Sequence, residues 1–208
     1  MLSMHSRLAV SALRALIVFV TLGFSSVQAA GDIEAGAILA DTCKGCHAVD
    51  SYNNVYPTYH VPRIGGQSAE YLEAALKLYR EGNRDHSTMT AQAASYSDQD
   101  IADISAYIAS IVPELKAGTP KSQAPEAANV CQSCHGETGI GQISMYPYLA
   151  GQHQDYLIQA MSDYKSGARK GPNAMVMQAQ LMMLSDDDIK AIAAYYAKQD
   201  GLTALPMN

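Results

Sequence analysis

The sequence predicts an all-α fold made of two tandem copies of one small helical domain. Three observations predict it. A Cys-x-x-Cys-His pentapeptide occurs twice, as Cys43-Lys44-Gly45-Cys46-His47 and Cys131-Gln132-Ser133-Cys134-His135, and takes up all four cysteines of the chain. Apolar residues recur at helical spacing in matching places of each half. The segments of the first half return in the same order in the second.

Taken in order, Ile33, Ala37 and Ala40 predict a first helix with Asp32 as its N-cap and Cys43, Cys46 and His47 at its C-terminal end. A loop rich in Tyr and Asn follows over 52–60 and ends in Val61-Pro62-Arg63-Ile64-Gly65-Gly66. The second helix runs from about Ser68 to Tyr79, with Tyr71, Leu72, Ala75, Leu76 and Tyr79 on one face, and Gly82 stops it. Another loop holds Met89. The third helix begins at Ser97, where Ser97 and Asp100 form a capping box. Its stripe is Ile101, Ile104, Tyr107, Ile108 and Ile111, and Pro113 ends it. Residues 114–128, with Pro120, Pro125, Gly, Ser and Ala, read as a short linker.

The second half repeats this register. Cys131 lies 88 residues after Cys43, and Ser185-Asp186-Asp187-Asp188-Ile189 repeats Ser97-Asp98-Gln99-Asp100-Ile101 at the same offset. Between them, Gly151-Gln152 with Tyr156-Leu157 repeats Gly66-Gln67 with Tyr71-Leu72 at an offset of 85, as Tyr164 to Arg169 does Tyr79 to Arg84. The register divides the chain into a domain over 30–113, a linker over 114–128 and a second domain over 129–208.

Cys-x-x-Cys-His is the attachment signature of haem c: each sulfur can form a thioether, and the adjacent His can ligate the iron. A zinc knuckle wants four ligands in a tetrahedron, and a redox dithiol needs no His directly after it. Two copies using every cysteine favour two covalently attached haem c groups over both. The sixth iron ligand is read from the repeat. Met89 lies 42 residues after His47 and eight before Ser97, and Met177 stands at the same two distances from His135 and Ser185. Met175, Met182 and Met183 compete in the second copy, and His86 and His60 in the first. Pro62 and Pro147 match, and a carbonyl there can accept the other ring N–H of the iron-bound His. Arg84 and Arg169 also match, facing either a haem propionate or solvent.

Residues 1–29 predict a cleaved secretory signal: His5, Arg7 and Arg14, an apolar run from Ala15 to Phe24, and the small-residue site Val27-Gln28-Ala29. The run is too short to cross a membrane. Without it the chain carries 12 basic against 20 acidic side chains, which argues against nucleic acid or an anionic membrane as partner. Residues 31–113 hold 5 basic and 11 acidic side chains, and residues 129–208 hold 5 and 7.

The duplicated motifs, the Gly-Gln-x-x-x-Tyr-Leu segments at Gly66 and Gly151, and the Ser-Asp-x-Asp-Ile starts at Ser97 and Ser185 resemble the two-haem cytochrome c4 family over essentially the whole mature chain. The resemblance implies two class I cytochrome c domains related by a pseudo-twofold. It also implies axial pairs falling on His47 with Met89 and His135 with Met177, and electron delivery towards a terminal oxidase. The Tyr-rich stretch departs from relatives that carry a Gly-containing loop like 136–141 there. The function expected is therefore a soluble periplasmic electron carrier without a substrate of its own, working between an upstream redox protein and an acceptor. The alternatives are the haem subunit or dedicated electron acceptor of a dehydrogenase, such as one oxidising thiosulfate, and a dihaem peroxidase, towards which only His86 hints.

Overall fold

Asp32 opens the first helix, its carboxylate accepting the Glu34 and Ala35 N–H groups at 2.8 and 3.2 Å, in a computed structural model that describes residues 30–113 and 115–207. The signal segment expected over 1–29 lies outside the described residues. The single first helix of the sequence reading is two helices, α1 (Ile33–Leu39) and α2 (Asp41–His47), meeting at the fully buried Ala40. α1 packs across α5 (Asp98–Ser110), while α2 carries the attachment motif. Gly36 permits that crossing, because a Cβ there would stand 2.0 Å from the Asp103 carbonyl oxygen.

The Tyr-rich stretch is a hairpin rather than a loop. Strands β1 (Asn53–Val55) and β2 (Thr58–His60) pair antiparallel, with Asn53 opposite His60. Then come α3 (Ala69–Arg80), α4 (Ser87–Ala94) and α5. Met89 thus sits on a helix, where the sequence predicted a loop. That helix is short and carries Ser and Thr, so its periodicity is weak and only its cap betrays it: the His86 side chain accepts the Met89 N–H at 3.3 Å. Ser97 caps α5 in the predicted capping box, with Ser97 N–H on Asp100 at 2.9 Å and Asp100 N–H on Ser97 Oγ at 3.2 Å.

In the second half a 3₁₀ turn (Glu126–Ala128) leads into α6 (Asn129–His135), followed by α7 (Gln154–Ser166), α8 (Ala174–Leu181) and α9 (Asp186–Ala197). Nothing here matches α1 but the turn, whose buried Ala128 stands where Ala40 stands in the first copy. The Ser185–Asp188 capping box repeats, at 2.9 and 3.1 Å.

Each half has its own core. Leu72, Ile104 and Ile108 build the first, and Leu157, Ile192, Ala193, Tyr195 and Tyr196 the second. Burying a side chain such as Ile104 or Ile192 contributes about 1.5–3 kcal/mol. The first core also takes Leu205 from the far end of the chain. The C-terminal segment crosses over: Thr203 exchanges backbone hydrogen bonds with Gly65 at 2.9 and 3.1 Å, and Leu205 N–H reaches the His47 carbonyl at 3.0 Å. Among the described residues, no helix is long and apolar enough to cross a membrane.

Candidate haem sites and the seam between them

The attachment motifs occupy α2 and α6, and helical spacing puts both cysteines and the His of each on one side of a short helix. Burial pushes the Cys43 thiol above its usual range and Cys131 up to about 11. Thiols so held are poor thiolates, unlike those of a redox dithiol. Among the described residues no three His, Cys, Asp or Glu side chains group as a metal ion requires, which removes support from the zinc reading.

His47 Nδ1 lies 2.8 Å from the Pro62 carbonyl oxygen, and His135 Nδ1 lies 2.9 Å from that of Pro147. A carbonyl only accepts, so each ring donates from Nδ1 and keeps the lone pair on Nε2. Burial lowers both imidazoles below their ordinary pKa, against the pull of the proline carbonyls; His86 and Arg84 lower His47 further. Neutral rings oriented by a carbonyl behind them are what iron ligation needs. The two prolines therefore do more than shape their loops.

Both motifs open on one continuous cavity of about 1140 Å³. That exceeds the roughly 300–1,000 Å³ usual for one small-molecule site. Its walls include Cys43, Cys46, His47 and Met89 from the first half, and Cys131, Cys134, His135 and Met177 from the second. The structure thus brings all eight predicted residues to one chamber. Met175, Met182 and Met183 are not in its walls and stand 77%, 62% and 86% exposed. The free Nε2 atoms, the paired thiols and the largely apolar and aromatic lining fit two haem groups.

The halves meet along a seam whose contacts come in reciprocal pairs. The Gln67 side chain brackets the Tyr148 backbone, accepting its N–H at 2.8 Å and donating to its carbonyl at 3.0 Å. Gln152 does the same to Arg63, at 2.9 and 2.8 Å. Arg84 donates to Tyr156 Oη at 2.6 Å, and Arg169 to Tyr71 Oη at 2.8 Å. Each guanidinium also stacks on a Tyr of its own half, Arg84 over Tyr79 at 4.4 Å and Arg169 over Tyr164 at 4.5 Å. These pairs are what a pseudo-twofold axis between the halves requires. The Gln and Tyr of the repeated Gly-Gln-x-x-x-Tyr-Leu segments therefore face the opposite half. Sequence reasoning used them to find the repeat and missed that role, although polar residues kept in both copies were the signal.

The cluster around His60 breaks the symmetry. His60, on β2, stacks on His153 at 4.7 Å between centroids, and its Nδ1 lies 2.7 Å from Asp155. Asp50, bonded twice to Arg63 at 2.6 Å, lies 3.5 Å from His153 Nε2. The two histidines do not match in the repeat, so nothing in the sequence placed them together.

The cytochrome c family model matches residues 33–111 and 125–199. Cytochrome c4 of Pseudomonas aeruginosa is 32% identical over 189 residues, covering 84% of this chain and 92% of its own. The crystal structure of reduced recombinant cytochrome c4 from Pseudomonas stutzeri superposes with a TM-score of 0.65 at 29% identity, over 84% of this chain and 100% of that one. A thiosulfate dehydrogenase electron acceptor of Stutzerimonas stutzeri is 28% identical over 172 residues, 76% of this chain and 79% of its own. With its two tandem helical domains, paired attachment cysteines and reciprocal seam, the chain belongs to the cytochrome c4 family of electron-transfer cytochromes and carries two covalently attached haem c groups.

Proposed function

We propose that the chain works in the periplasm as a soluble electron carrier without a substrate of its own, taking electrons from an upstream redox protein and passing them towards a terminal oxidase. Domains over 30–113 and 129–208 each hold one haem, with a linker over 114–128. When bound, haem c supplies a one-electron ferric/ferrous couple at each iron. Cys43 and Cys46 anchor the first group, and Cys131 and Cys134 the second. His47 and Met89 would hold the iron of the first group, and His135 and Met177 that of the second. Methionine sulfur is a soft ligand that favours the ferrous state and raises the potential.

The observation that carries this reading is that His47 and Met89, and likewise His135 and Met177, wall one chamber; of the competing residues His60, Met175, Met182 and Met183 lie outside it, and His86 lines it beside Met89. An iron held by both the His and the Met of its half would keep no position for substrate. His86, the residue that hinted at peroxidase chemistry, has its Nδ1 engaged with the Met89 N–H. The second reading is that of dedicated acceptor for a dehydrogenase. The 28% identity with a thiosulfate dehydrogenase electron acceptor favours it, and it calls on the same carrier chemistry.

The test is the weak long-wavelength charge-transfer band of methionine-ligated ferric haem. Met89→Ala and Met177→Ala should each remove about half of it, and the double variant all of it, with two haems per chain retained. A band untouched by either substitution, or an iron in the unaltered protein that binds peroxide readily, would overturn the ligand assignment. Mixing the reduced protein with a purified terminal oxidase, and the oxidised protein with a thiosulfate dehydrogenase plus thiosulfate, separates the two readings by which exchange is fast.

A further inference from the structure

Gln67 and Gln152 stand at matching places of the repeat, each 4% exposed and each bonded into the opposite half. Their amides are fixed end for end. Gln152 Oε1 accepts two backbone N–H groups, from Arg63 at 2.9 Å and from His153 at 3.0 Å, while its Nε2 donates to the Arg63 carbonyl. Gln67 Oε1 accepts from Tyr148 at 2.8 Å and from Ser68 at 2.9 Å, and its Nε2 donates to the Tyr148 carbonyl. A flipped amide would set its own N–H groups against two donors, so the partners dictate the orientation. Only backbone is read by these amides, which is why the two copies can carry Arg63 and Tyr148 at the same place.

The cross-seam N–H groups taken by Oε1 belong to particular peptide bonds. Arg63 N–H shares its peptide with the Pro62 carbonyl, which accepts His47 Nδ1–H at 2.8 Å. Tyr148 N–H shares its peptide with the Pro147 carbonyl, which accepts His135 Nδ1–H at 2.9 Å. Each of these peptides is thus bonded at both ends, to the motif histidine of its own half and to a glutamine of the other. A peptide is conjugated, so an acceptor at its N–H moves electron density onto its oxygen. That oxygen holds the imidazole proton more strongly, and the ring becomes a more basic ligand at Nε2.

We propose that Gln67 and Gln152 are positioning residues for the axial histidines of the opposite halves. Gln152 acts on His47 through the Pro62–Arg63 peptide, and Gln67 acts on His135 through the Pro147–Tyr148 peptide. This role rests on iron ligation by His47 and His135. A more basic imidazole favours the ferric state, so each glutamine lowers the potential of the haem across the seam from it. Closure of the two halves thereby enters the reduction equilibrium of both.

The experiment is a redox titration of the full holoprotein for Gln152→Leu, Gln67→Leu and Gln152→Glu, with the histidine Nδ1–H resonances followed by NMR in the reduced state. Met89→Ala, which lowers the first potential, assigns the two waves. Gln152→Leu should raise the potential of the His47 haem by roughly threefold in the reduction equilibrium constant, about 28 mV for a one-electron couple. It should also move the His47 Nδ1–H resonance upfield and leave that of His135 in place. Gln67→Leu should do the reverse. Gln152→Glu keeps the shape and, when protonated, both bonds, so at acid pH it should restore the unaltered potential. As its carboxyl ionises with rising pH, the His47 haem should fall further than the His135 haem, and this variant decides the matter if the leucine variants lose haem. No shift, a shift in the glutamine's own half, or equal shifts of both haems would overturn the proposal. An unaltered protein that is not low-spin with two haems per chain would show that the ligation itself has failed, and the role with it.

Discussion

The two halves share their inward faces and differ on their outward ones. After α2 the first half sends out the hairpin of residues 53–60, whose tip carries Val55 and Tyr56 at 87% and 93% exposure. After α6 the second half closes a tight loop in which Gly136 and Gly139 take positive φ and Gly139 N–H returns to the Gly136 carbonyl at 3.2 Å. A Cβ on Gly136 would stand 2.3 Å from the Ile140 carbonyl oxygen, so that loop needs glycine. On α4 the side chains around Met89 are Ser87, Thr88 and Thr90, and on α8 those around Met177 are Met175, Val176 and Gln178. The proline carbonyls behind His47 and His135, the bracketing glutamines and the seam arginines keep to register in both copies. The difference teaches that the two copies diverge where they meet solvent and keep to register around the attachment motifs and over most of the seam, the His60–His153 cluster excepted.

The sharpest way to break this comparison is at the C-terminal crossing. Leu205→Ala removes a buried side chain from the core of the first half and should cost about 2–5 kcal/mol there. Hydrogen exchange should quicken in α3 and α5 and leave α9 unchanged. Equal quickening in both halves would show the two cores to be one cooperative unit. Next come the caps. Ser97→Ala and Ser185→Ala should each cost about 0.5–2 kcal/mol, by thermal or denaturant unfolding, and by similar amounts because the two boxes share one geometry. A smaller, one-sided effect belongs to His86. Its cap on Met89 N–H has no counterpart, since Asn173 makes no side-chain cap bond to α8. His86→Ala should cost about 0.5–1.5 kcal/mol and quicken exchange in α4, while Asn173→Ala leaves α8 unchanged.

The smallest effect is expected at the asymmetric His60–His153 cluster of the seam. Burial foremost, and then the Arg63 charge, lower the His153 imidazole, against the pull of Asp50. Its neutral form is therefore favoured in the folded state. That stability is fully present above the ordinary His value of about 6.5 and is lost as pH falls from there through the lowered value. Asp155 is also lowered; burial opposes this, and the hydrogen bonds from His60 outweigh it. Its contribution is lost only below the usual carboxylate range. Both signs agree that acid loosens the seam on the hairpin side, with His60, Asp50, Arg63 and Asp155 facing His153. Because the cluster is partly exposed, the drop should be modest, roughly 2 °C in Tm between pH 7 and pH 5. His153→Gln should flatten it.

The attachment chemistry and the repeat register are legible in the residues alone. Haem attachment is written in five consecutive residues, and the apolar stripes of α3, α5, α7 and α9 follow from helical period, so both were readable without a fold. Met89 and Met177 were singled out by their equal distances from the flanking motifs, and the structure puts both in the walls of one chamber. The helix around Met89 was missed because eight residues rich in Ser and Thr leave little periodicity to read. Which side chains meet across the seam emerges from folding. His60 and His153 come from different halves and unmatched positions, and Leu205 joins a core whose other members lie more than ninety residues earlier. Local pattern constrains a residue's neighbours within a turn or a strand. Contacts between halves depend on which faces remain uncovered once each half has folded, and that is a property of the assembled surfaces.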